Sequence, residues 1–236
     1  MGAEMLRGRS KSSAWIGYHD PHMYHLPFPL PWIAKNKTYN WQRHFERDME
    51  KLRSQGLDFK NIAGFAIESY QGWGAVLLPK GYVQALSRFA KRNNIIVMFD
   101  EIQSGFGRTG KLFCYQHYKV TPDLLCIGKA LGGGLPLSGV IGRRKILDIP
   151  PFGSMSSTHS AQPLGCAAGL ANLEFFKEKK LVEQAERKGK ILHRELWKLQ
   201  KKYPESISRV AGAGMVAALF IENKNGKPNS TLATQI

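Results

Sequence analysis

An acidic segment at residues 100–103 has the composition and position of a ligand-binding element. It reads D-E-I-Q and directly follows the apolar run at residues 95–99. In parallel α/β sheets, ligands bind outside the carboxyl ends of the strands. A carboxylate there, such as Asp100, is held on rigid backbone while it faces the ligand. An acid at this position could equally cap a helix or lie in solvent, so position alone leaves both interpretations open.

A lysine followed by glycines occupies the equivalent place after another apolar run. Residues 128–134 read G-K-A-L-G-G-G and follow the run at residues 124–127. A lysine amine made reactive by burial or by a neighbouring charge forms a Schiff base with a carbonyl compound, and glycines let the backbone approach a ligand closely. The run lacks the closing Gly-Lys-Ser/Thr of a nucleotide phosphate loop. A solvated Lys129 before a flexible turn is the alternative interpretation.

A third segment is rich in hydroxyl groups. Residues 153–160 read G-S-M-S-S-T-H-S and precede a helix predicted to begin near residue 162. Hydroxyls and free backbone N–H groups near a helix start suit an anion such as phosphate. An ordinary serine-rich loop that caps the helix is the alternative. We interpret the isolated His117 and His159 as structural.

The elements that must position these segments alternate between strands and helices. We predict helices at residues 41–55, 80–93 and 162–176 and from residue 179, and strands at residues 62–67, 95–99, 124–127, 138–142 and 216–221. Continuous apolar strands that alternate with helices indicate an α/β fold with a mainly parallel sheet and helices on both faces. Four prolines within residues 21–31 predict an ordered loop or extended segment there.

The composition narrows the class of protein. The 236 residues are enough for one domain with a hydrophobic core and the start of a second. The formal charge of +16 raises the question of an acidic partner, but acids are mixed among the basic residues of 177–202 as on a solvated helix face. Three cysteines without a C-x-x-C pair argue against a disulfide framework and a metal site. Because no apolar run is long enough to span a membrane, we expect a reduced, cytoplasmic setting.

In order and spacing, these segments resemble the class III aminotransferases, which have the type I fold of pyridoxal-phosphate (PLP) enzymes. Residues 100–110, D-E-I-Q-S-G-F-G-R-T-G, are similar to the family's D-E-[IV]-Q-x-G-x-G-R-T-G. Residues 128–136, G-K-A-L-G-G-G-L-P, and the S-S-T-H loop follow in the family's order. Residues 67–72, I-E-S-Y-Q-G, are similar to E-P-x-Q-G, with Ser69 where proline is usual. The resemblance extends from about residue 15 to the C-terminus.

The resemblance implies a role for each side chain that would contact the cofactor. Lys129 would bind PLP covalently and then move protons between the substrate Cα and the cofactor C4′. Asp100 would pair with the protonated pyridine nitrogen, so that the ring takes up carbanion charge. Ile102 would pack on one ring face, and Gln103 would bond the 3′-oxygen. Thr158 would contact the phosphate, usually across a dimer interface in this family.

The resemblance also implies features of the wider protein. Glu68 would organise the pocket for an amino donor and a 2-oxo acid acceptor, and nearby Trp73 could shape specificity or lie in the core. A full family member is much longer and forms a homodimer. We therefore expect this chain to be a fragment that binds PLP weakly and has little activity alone. We expect residues 1–203 to be part of the PLP-binding large domain and residues 204–236 to begin a small C-terminal α+β domain.

Three functional hypotheses follow from these residues. The first is amino-group transfer from an amine or ω-amino acid to a 2-oxo acid. The second is another reaction on the same fold, by an amino-acid racemase or aminomutase, because Lys129 and Asp100 serve these enzymes as well. The third is a non-catalytic or nucleic-acid-binding protein. The positive charge is diffuse and no nucleic-acid-binding motif accompanies it, so we expect no nucleic-acid partner.

Overall fold

Helices and strands alternate along the chain as the sequence predicts. The computed structural model describes Leu6, Gly8, residues 14–223 and residues 225–235. In chain order the elements are α1 (Trp41–Ser54), β1 (Gly64–Glu68), β2 (Tyr70–Gln71), β3 (Val76–Leu77), α2 (Lys80–Arg92), β4 (Ile96–Asp100), β5 (Leu124–Ile127), β6 (Gly139–Gly142), α3 (Arg144–Leu147), α4 (Pro163–Glu178), α5 (Leu181–Lys202), β7 (Ile207–Ala213), β8 (Val216–Ile221) and α6 (Ser230–Gln235). The predicted helices and central strands are confirmed to within a few residues at their ends.

The central sheet has the strand order β1–β4–β5–β6. β1 pairs with β4 and β4 pairs with β5 in parallel, whereas β6 runs antiparallel to β5. The sheet is therefore mainly parallel, as the continuous apolar runs predict. Parallel neighbours need a crossover connection, and the segment containing α2 supplies it between β1 and β4. Asp123 also joins β4 to the start of β5, because its Oδ2 accepts from the Val97 N–H at 3.0 Å.

The hydrophobic core lies where α1 and α2 pack against this sheet. Phe45 of α1 and Val83 and Leu86 of α2 are buried together with Phe99 of β4. The α2 residues recur at helical spacing, so one face of that helix is apolar. Complete burial of such a side chain stabilises the fold by about 1.5–3 kcal/mol. β4 is thus held firmly along its length up to Asp100, at its carboxyl end.

A hairpin follows the long helix α5. β7 pairs antiparallel with β8, and both strands contact α5. The sequence predicts β8 but not β7, because the apolar residues of I-S-R-V-A-G-A are interrupted by polar residues and glycine without regular alternation. Helix and hairpin approach so closely that a Cβ on Gly189 would clash with the Gly214 backbone. The division into domains after residue 203 stays a prediction.

Residues 21–30 form neither a helix nor a strand, as their prolines predict, whereas the 3-10 helix Pro31–Ile33 that follows was not predicted. The Trp32 ring lies 5.2 Å from the Phe220 ring and 4.9 Å from the Arg209 guanidinium carbon. These contacts join the segment to the β7–β8 hairpin. Within the described ranges, the structure contains no helix with the length and apolar character needed to cross a lipid bilayer.

Candidate active site

The candidate site lies where the three parallel strands end. The sheet register pairs Glu68 at the end of β1 with Asp100 at the end of β4, and it pairs Asp100 with Cys126 of β5. Lys129 lies just beyond the end of β5. The structure therefore brings Glu68, Asp100 and the start of the lysine loop to one edge of the sheet, which is where parallel α/β folds bind ligands.

Asp100 is a half-buried carboxylate held by the turn that follows it. Its Oδ1 accepts from the Ile102 N–H at 2.9 Å, and its backbone carbonyl accepts from the Ser69 N–H at 3.4 Å. Burial, and secondarily the nearby Asp100 carboxylate, raises the pKa of the Cys126 thiol. Asp100 therefore presents a carboxylate at the strand end, where it would stabilise a cationic ring nitrogen of a ligand.

Lys129 opens the short 3-10 helix Lys129–Gly132. Its Nζ donates to the side-chain oxygen of Gln103 at 3.3 Å. Its φ of +43° lies in the left-handed region, which costs a residue with a Cβ about 1 kcal/mol. Surrounding contacts must impose such a conformation. Asn172 of α4 supplies two of them, because its side-chain nitrogen donates to the carbonyls of Ala130 at 2.5 Å and Leu131 at 3.1 Å.

Ile102 and Gln103 bridge the two strand ends. A Cβ built on Gly128 would lie 3.5 Å from Ile102 Cγ2, so Ile102 packs directly against the backbone that leads into Lys129. Gln103 is exposed and accepts the bond from the Lys129 amine. An amine, an apolar side chain and an amide therefore meet beside the carboxyl end of β4, the strand that ends at Asp100. This set of groups fits a small, charged heteroaromatic ring.

Glu68 reaches the same place through the turn that follows β1. A Cβ built on Gly72 would lie 2.7 Å from Gln103 Oε1 and 3.4 Å from Glu68 Oε1. With its amide oriented to satisfy both neighbours, Gln71 donates to the Glu68 carboxylate and accepts from the Trp73 indole N–H at 2.8 Å. Trp73 is 58% exposed. It therefore lies outside the core, and its role in specificity stays a prediction.

The remaining predicted residue, Thr158, lies in the exposed segment between α3 and α4. Its role at the phosphate stays a prediction. His117 is half-buried, and its Nε2 lies 3.1 Å from Thr109 Oγ1 and 3.2 Å from the Thr109 carbonyl oxygen. Burial lowers the pKa of His117, which suits the structural role expected for it. His159 is exposed.

Sequence reasoning missed a buried layer beneath these residues. Glu101 is fully buried and accepts hydrogen bonds from the Ser69 and Ser104 hydroxyls, each at 2.5 Å. The nearest sequence signal was the second acid of D-E-I-Q, which is unusual directly after a buried strand. Its partner Ser69 lies 32 positions earlier, and no local pattern links the two.

A mainly parallel sheet with a carboxylate and a lysine at neighbouring strand ends is the arrangement of fold type I PLP enzymes. The chain also matches the family described as aminotransferase class III over residues 6–235. It belongs to that family, and family membership indicates pyridoxal 5′-phosphate as the cofactor. The residues at the strand ends fit this group, because they combine an amine that can bind an aldehyde with an acid that can pair with a ring nitrogen.

Named relatives agree with this family assignment. The chain is 38% identical over 227 residues to the probable 4-aminobutyrate aminotransferase of Bacillus subtilis (strain 168). This alignment covers 94% of the present chain and 52% of the Bacillus protein. The chain is also 35% identical over 209 residues to the 2-aminoadipate transaminase of Pseudomonas putida (strain KT2440). This second alignment covers 87% of the present chain and 49% of the Pseudomonas protein. The chain thus spans about half the length of these relatives.

Solved structures show the same fold. The taurine:2-oxoglutarate aminotransferase of Bifidobacterium kashiwanohense, in complex with PLP and glutamate, superimposes with a TM-score of 0.87 at 25% identity, over 99% of this chain and 56% of that one. The thermostable (S)-enantioselective omega-transaminase of Thermomicrobium roseum superimposes with a TM-score of 0.83 at 29% identity, over 97% of this chain and 52% of that one.

Proposed function

We propose that this chain carries the cofactor-binding centre of a PLP-dependent transaminase, which moves an amino group from an amine or ω-amino acid to a 2-oxo acid. The observation that supports this most directly is the contact of Lys129 with Gln103 beside the parallel strands β4 and β5, of which β4 ends at Asp100. Family membership supports the cofactor. When bound, PLP supplies an electron sink for the substrate carbanion.

Each residue at the strand ends has a distinct task in this proposal. Lys129 would hold the cofactor through its Nζ, and the same Nζ, when free, would carry the proton that leaves the substrate Cα. The Asp100 carboxylate would pair with a ring N–H and favour the cationic form of that nitrogen. Ile102 would supply an apolar contact for the ring, and Gln103 would offer its amide to the ring hydroxyl group.

The substrate pocket is proposed to lie on the Glu68 side of the site. The Gln71 amide and the Trp73 indole set the direction of the Glu68 carboxylate. The relatives are named for 4-aminobutyrate, 2-aminoadipate and taurine, all of which carry an acidic group as well as an amine. We infer that the donor is of this kind and that the acceptor is a 2-oxo acid.

A homodimer is proposed for the full-length protein, with Thr158 contacting the phosphate across the interface. The nearby helix α4 supports the proposal, because it is apolar on more than one face and leaves Leu164 67% and Leu170 61% exposed. Exposed leucines grouped on one helix are the kind of surface that a partner subunit would cover. Sedimentation of Leu170→Glu should give a smaller assembly than wild type, whereas Ile191→Glu on α5 should not. Equal sedimentation of wild type and Leu170→Glu argues against the interface.

We also propose a cytoplasmic setting without a nucleic-acid partner. The thiols of Cys114, Cys126 and Cys166 are free, which suits a reducing compartment. The basic residues of α5 are interspersed with acids and pair with them, as in the contact of Lys198 with Glu195 at 3.0 Å. That pattern suits a solvated helix face.

Reductive trapping tests the proposed function. The purified chain is incubated with PLP, reduced with borohydride and mapped by peptide mass spectrometry. We expect preferential labelling of Lys129 over the exposed Lys145, and loss of the Lys129 adduct in Lys129→Ala but not in Lys145→Ala. Equal labelling of the two lysines in wild type contradicts the proposal.

Product analysis separates the reaction classes. Amino-group transfer needs a 2-oxo acid acceptor, whereas a racemase or aminomutase turns over its substrate without one. We expect weak cofactor binding and little turnover from this chain alone. Turnover that persists without an acceptor would favour the racemase or aminomutase alternative.

A further inference from the structure

Three buried polar residues form a layer directly beneath the candidate site. Ser69 and Glu101 are fully buried and Ser104 is 2% exposed; we refer to them as the buried triad. The Ser69 hydroxyl donates to Glu101 Oε1 and the Ser104 hydroxyl donates to Glu101 Oε2, each at 2.5 Å. A buried carboxylate is stable only when its oxygens are hydrogen-bonded, and the triad meets part of that requirement.

Two backbone groups complete the environment of the Glu101 carboxylate. The Tyr115 N–H donates to Oε1 at 2.7 Å, and the Cys114 N–H donates to Oε2 at 3.0 Å. Each oxygen therefore accepts one hydroxyl and one backbone N–H. These charge-assisted bonds join the end of β1, the turn after β4 and the 3-10 helix Cys114–Tyr118 around one side chain.

Each member of the buried triad directly follows a residue of the candidate site. Ser69 follows Glu68, Glu101 follows Asp100, and Ser104 follows Gln103. Along the chain, the first residue of each pair is exposed or half-buried and the second is buried. At the strand ends, where Glu68 precedes Ser69 and Asp100 precedes Glu101, successive side chains point to opposite sides. Gln103 and Ser104 lie in the turn after β4, where Gln103 is exposed and Ser104 is buried. The site residues therefore face outward, while the triad faces inward and joins their backbones.

We propose that the buried triad is the positioning network that sets Glu68, Asp100 and Gln103 relative to one another. This rests on the proposed function of those residues, and it goes beyond the family resemblance. The family pattern has proline where this chain has Ser69, and proline has no hydroxyl to donate. In this chain, a serine hydroxyl makes the side-chain link from the end of β1 to Glu101.

The geometry makes Glu101→Gln a sharp test. Glutamine has nearly the shape of glutamate, but one of its two terminal atoms is an NH₂ donor. Both Glu101 oxygens accept a hydrogen bond from a backbone N–H. In either orientation of the glutamine amide, its NH₂ group would therefore face a backbone N–H, so that two donors meet without an acceptor. The serine hydroxyls can rotate, but the Cys114 and Tyr115 N–H groups cannot. The network must therefore shift, and the backbones of the site residues shift with it.

The experiment compares variants at matched loss of thermal stability. Glu101→Gln and Ser104→Ala alter the triad, and Val83→Ala removes core volume in α2 without touching it. PLP labelling is followed as the ratio of Lys129 to Lys145 adduct. We expect this ratio to fall about 10- to 100-fold in Glu101→Gln, to fall less in Ser104→Ala, and to stay unchanged in Val83→Ala at a comparable drop in Tm.

The outcomes separate this proposal from the proposed function. A wild-type ratio in Glu101→Gln, or an equal fall in Val83→Ala, overturns the positioning role. If wild type itself shows no preference for Lys129, the proposed function fails, and amide hydrogen exchange then decides the structural claim. Faster exchange in Glu101→Gln at both residues 68–71 and 101–104 supports the network, and unchanged protection there overturns it.

Discussion

The Lys129 ammonium lies 3.3 Å from the Gln103 side-chain oxygen. This bond joins the loop after β5 to the loop after β4. Because β4 and β5 are adjacent parallel strands, both loops leave the same edge of the sheet. The site thus depends on two loops held in register by the strands beneath them.

The left-handed backbone of Lys129 predicts a conflict between stability and function. Glycine adopts φ of +43° without the steric cost that a Cβ brings. We expect Lys129→Gly to be more stable than Lys129→Ala by about 1 kcal/mol, although both lose the reactive amine. Urea unfolding of the two variants measures the difference. Equal stabilities would show that the position is unstrained.

Gly72→Ala should disturb the site without disturbing the fold. The new Cβ would lie 2.7 Å from Gln103 Oε1, so the flexible Gln103 side chain must turn away from Lys129. We expect stability within about 0.5 kcal/mol of wild type and reduced labelling of Lys129 by PLP. If the effect runs through Gln103, then Gly72→Ala should add nothing in a Gln103→Ala background. Additive losses would place the effect elsewhere.

Asn172 predicts how the lysine loop is anchored. Its side chain donates to the Ala130 and Leu131 carbonyls. The Ala130 carbonyl also accepts from the Gly133 N–H at 3.4 Å, but loss of a partner at the buried residue Leu131 costs about 1–3 kcal/mol. We expect Asn172→Ala to lower the free energy of unfolding by that amount and to weaken Lys129 labelling. Asn93→Ala, which removes an exposed bond to the Phe89 carbonyl, is the matched control. A similar loss of labelling in both variants would refute the anchoring role.

The buried thiol of Cys114 predicts an alkaline loss of stability. Burial, with the Glu101 charge as second cause, raises the pKa of Cys114 from its ordinary 9.0 to about 12. The folded state therefore favours the neutral thiol. The stabilisation that the neutral Cys114 thiol gives the folded state is fully present below pH 9. This stabilisation is lost as the pH rises toward 12, by about 1.4 kcal/mol per pH unit.

Urea unfolding between pH 8 and pH 10 checks this expectation. Wild type should lose stability more steeply than Cys114→Ala, because the alanine variant has no thiol to ionise. Cys166→Ala, at an exposed cysteine, should keep the wild-type slope. Identical slopes for wild type and Cys114→Ala would rule out the buried thiol as the cause.

Much of the fold could be predicted because its signals are local. The apolar run at β4 and the helical spacing in α2 are visible within a few residues, and both elements are confirmed. The strand β7 could not be predicted, because its mixed residues become a strand only by pairing with β8. Sheet order was also beyond local patterns, since it depends on contacts between distant segments.

The amino-acid sequence is enough to identify the reactive groups and to place them after strands, because Lys129 follows one apolar run and Asp100 follows another. The contacts that hold these residues could be found only from the folded chain. The bond of Ser69 to Glu101 and the bonds of Asn172 to the lysine loop join segments 32 to 42 positions apart in the chain. Periodicity reports which side of one element is apolar, whereas hydrogen-bond partners are set by where the folded chain brings separate elements together.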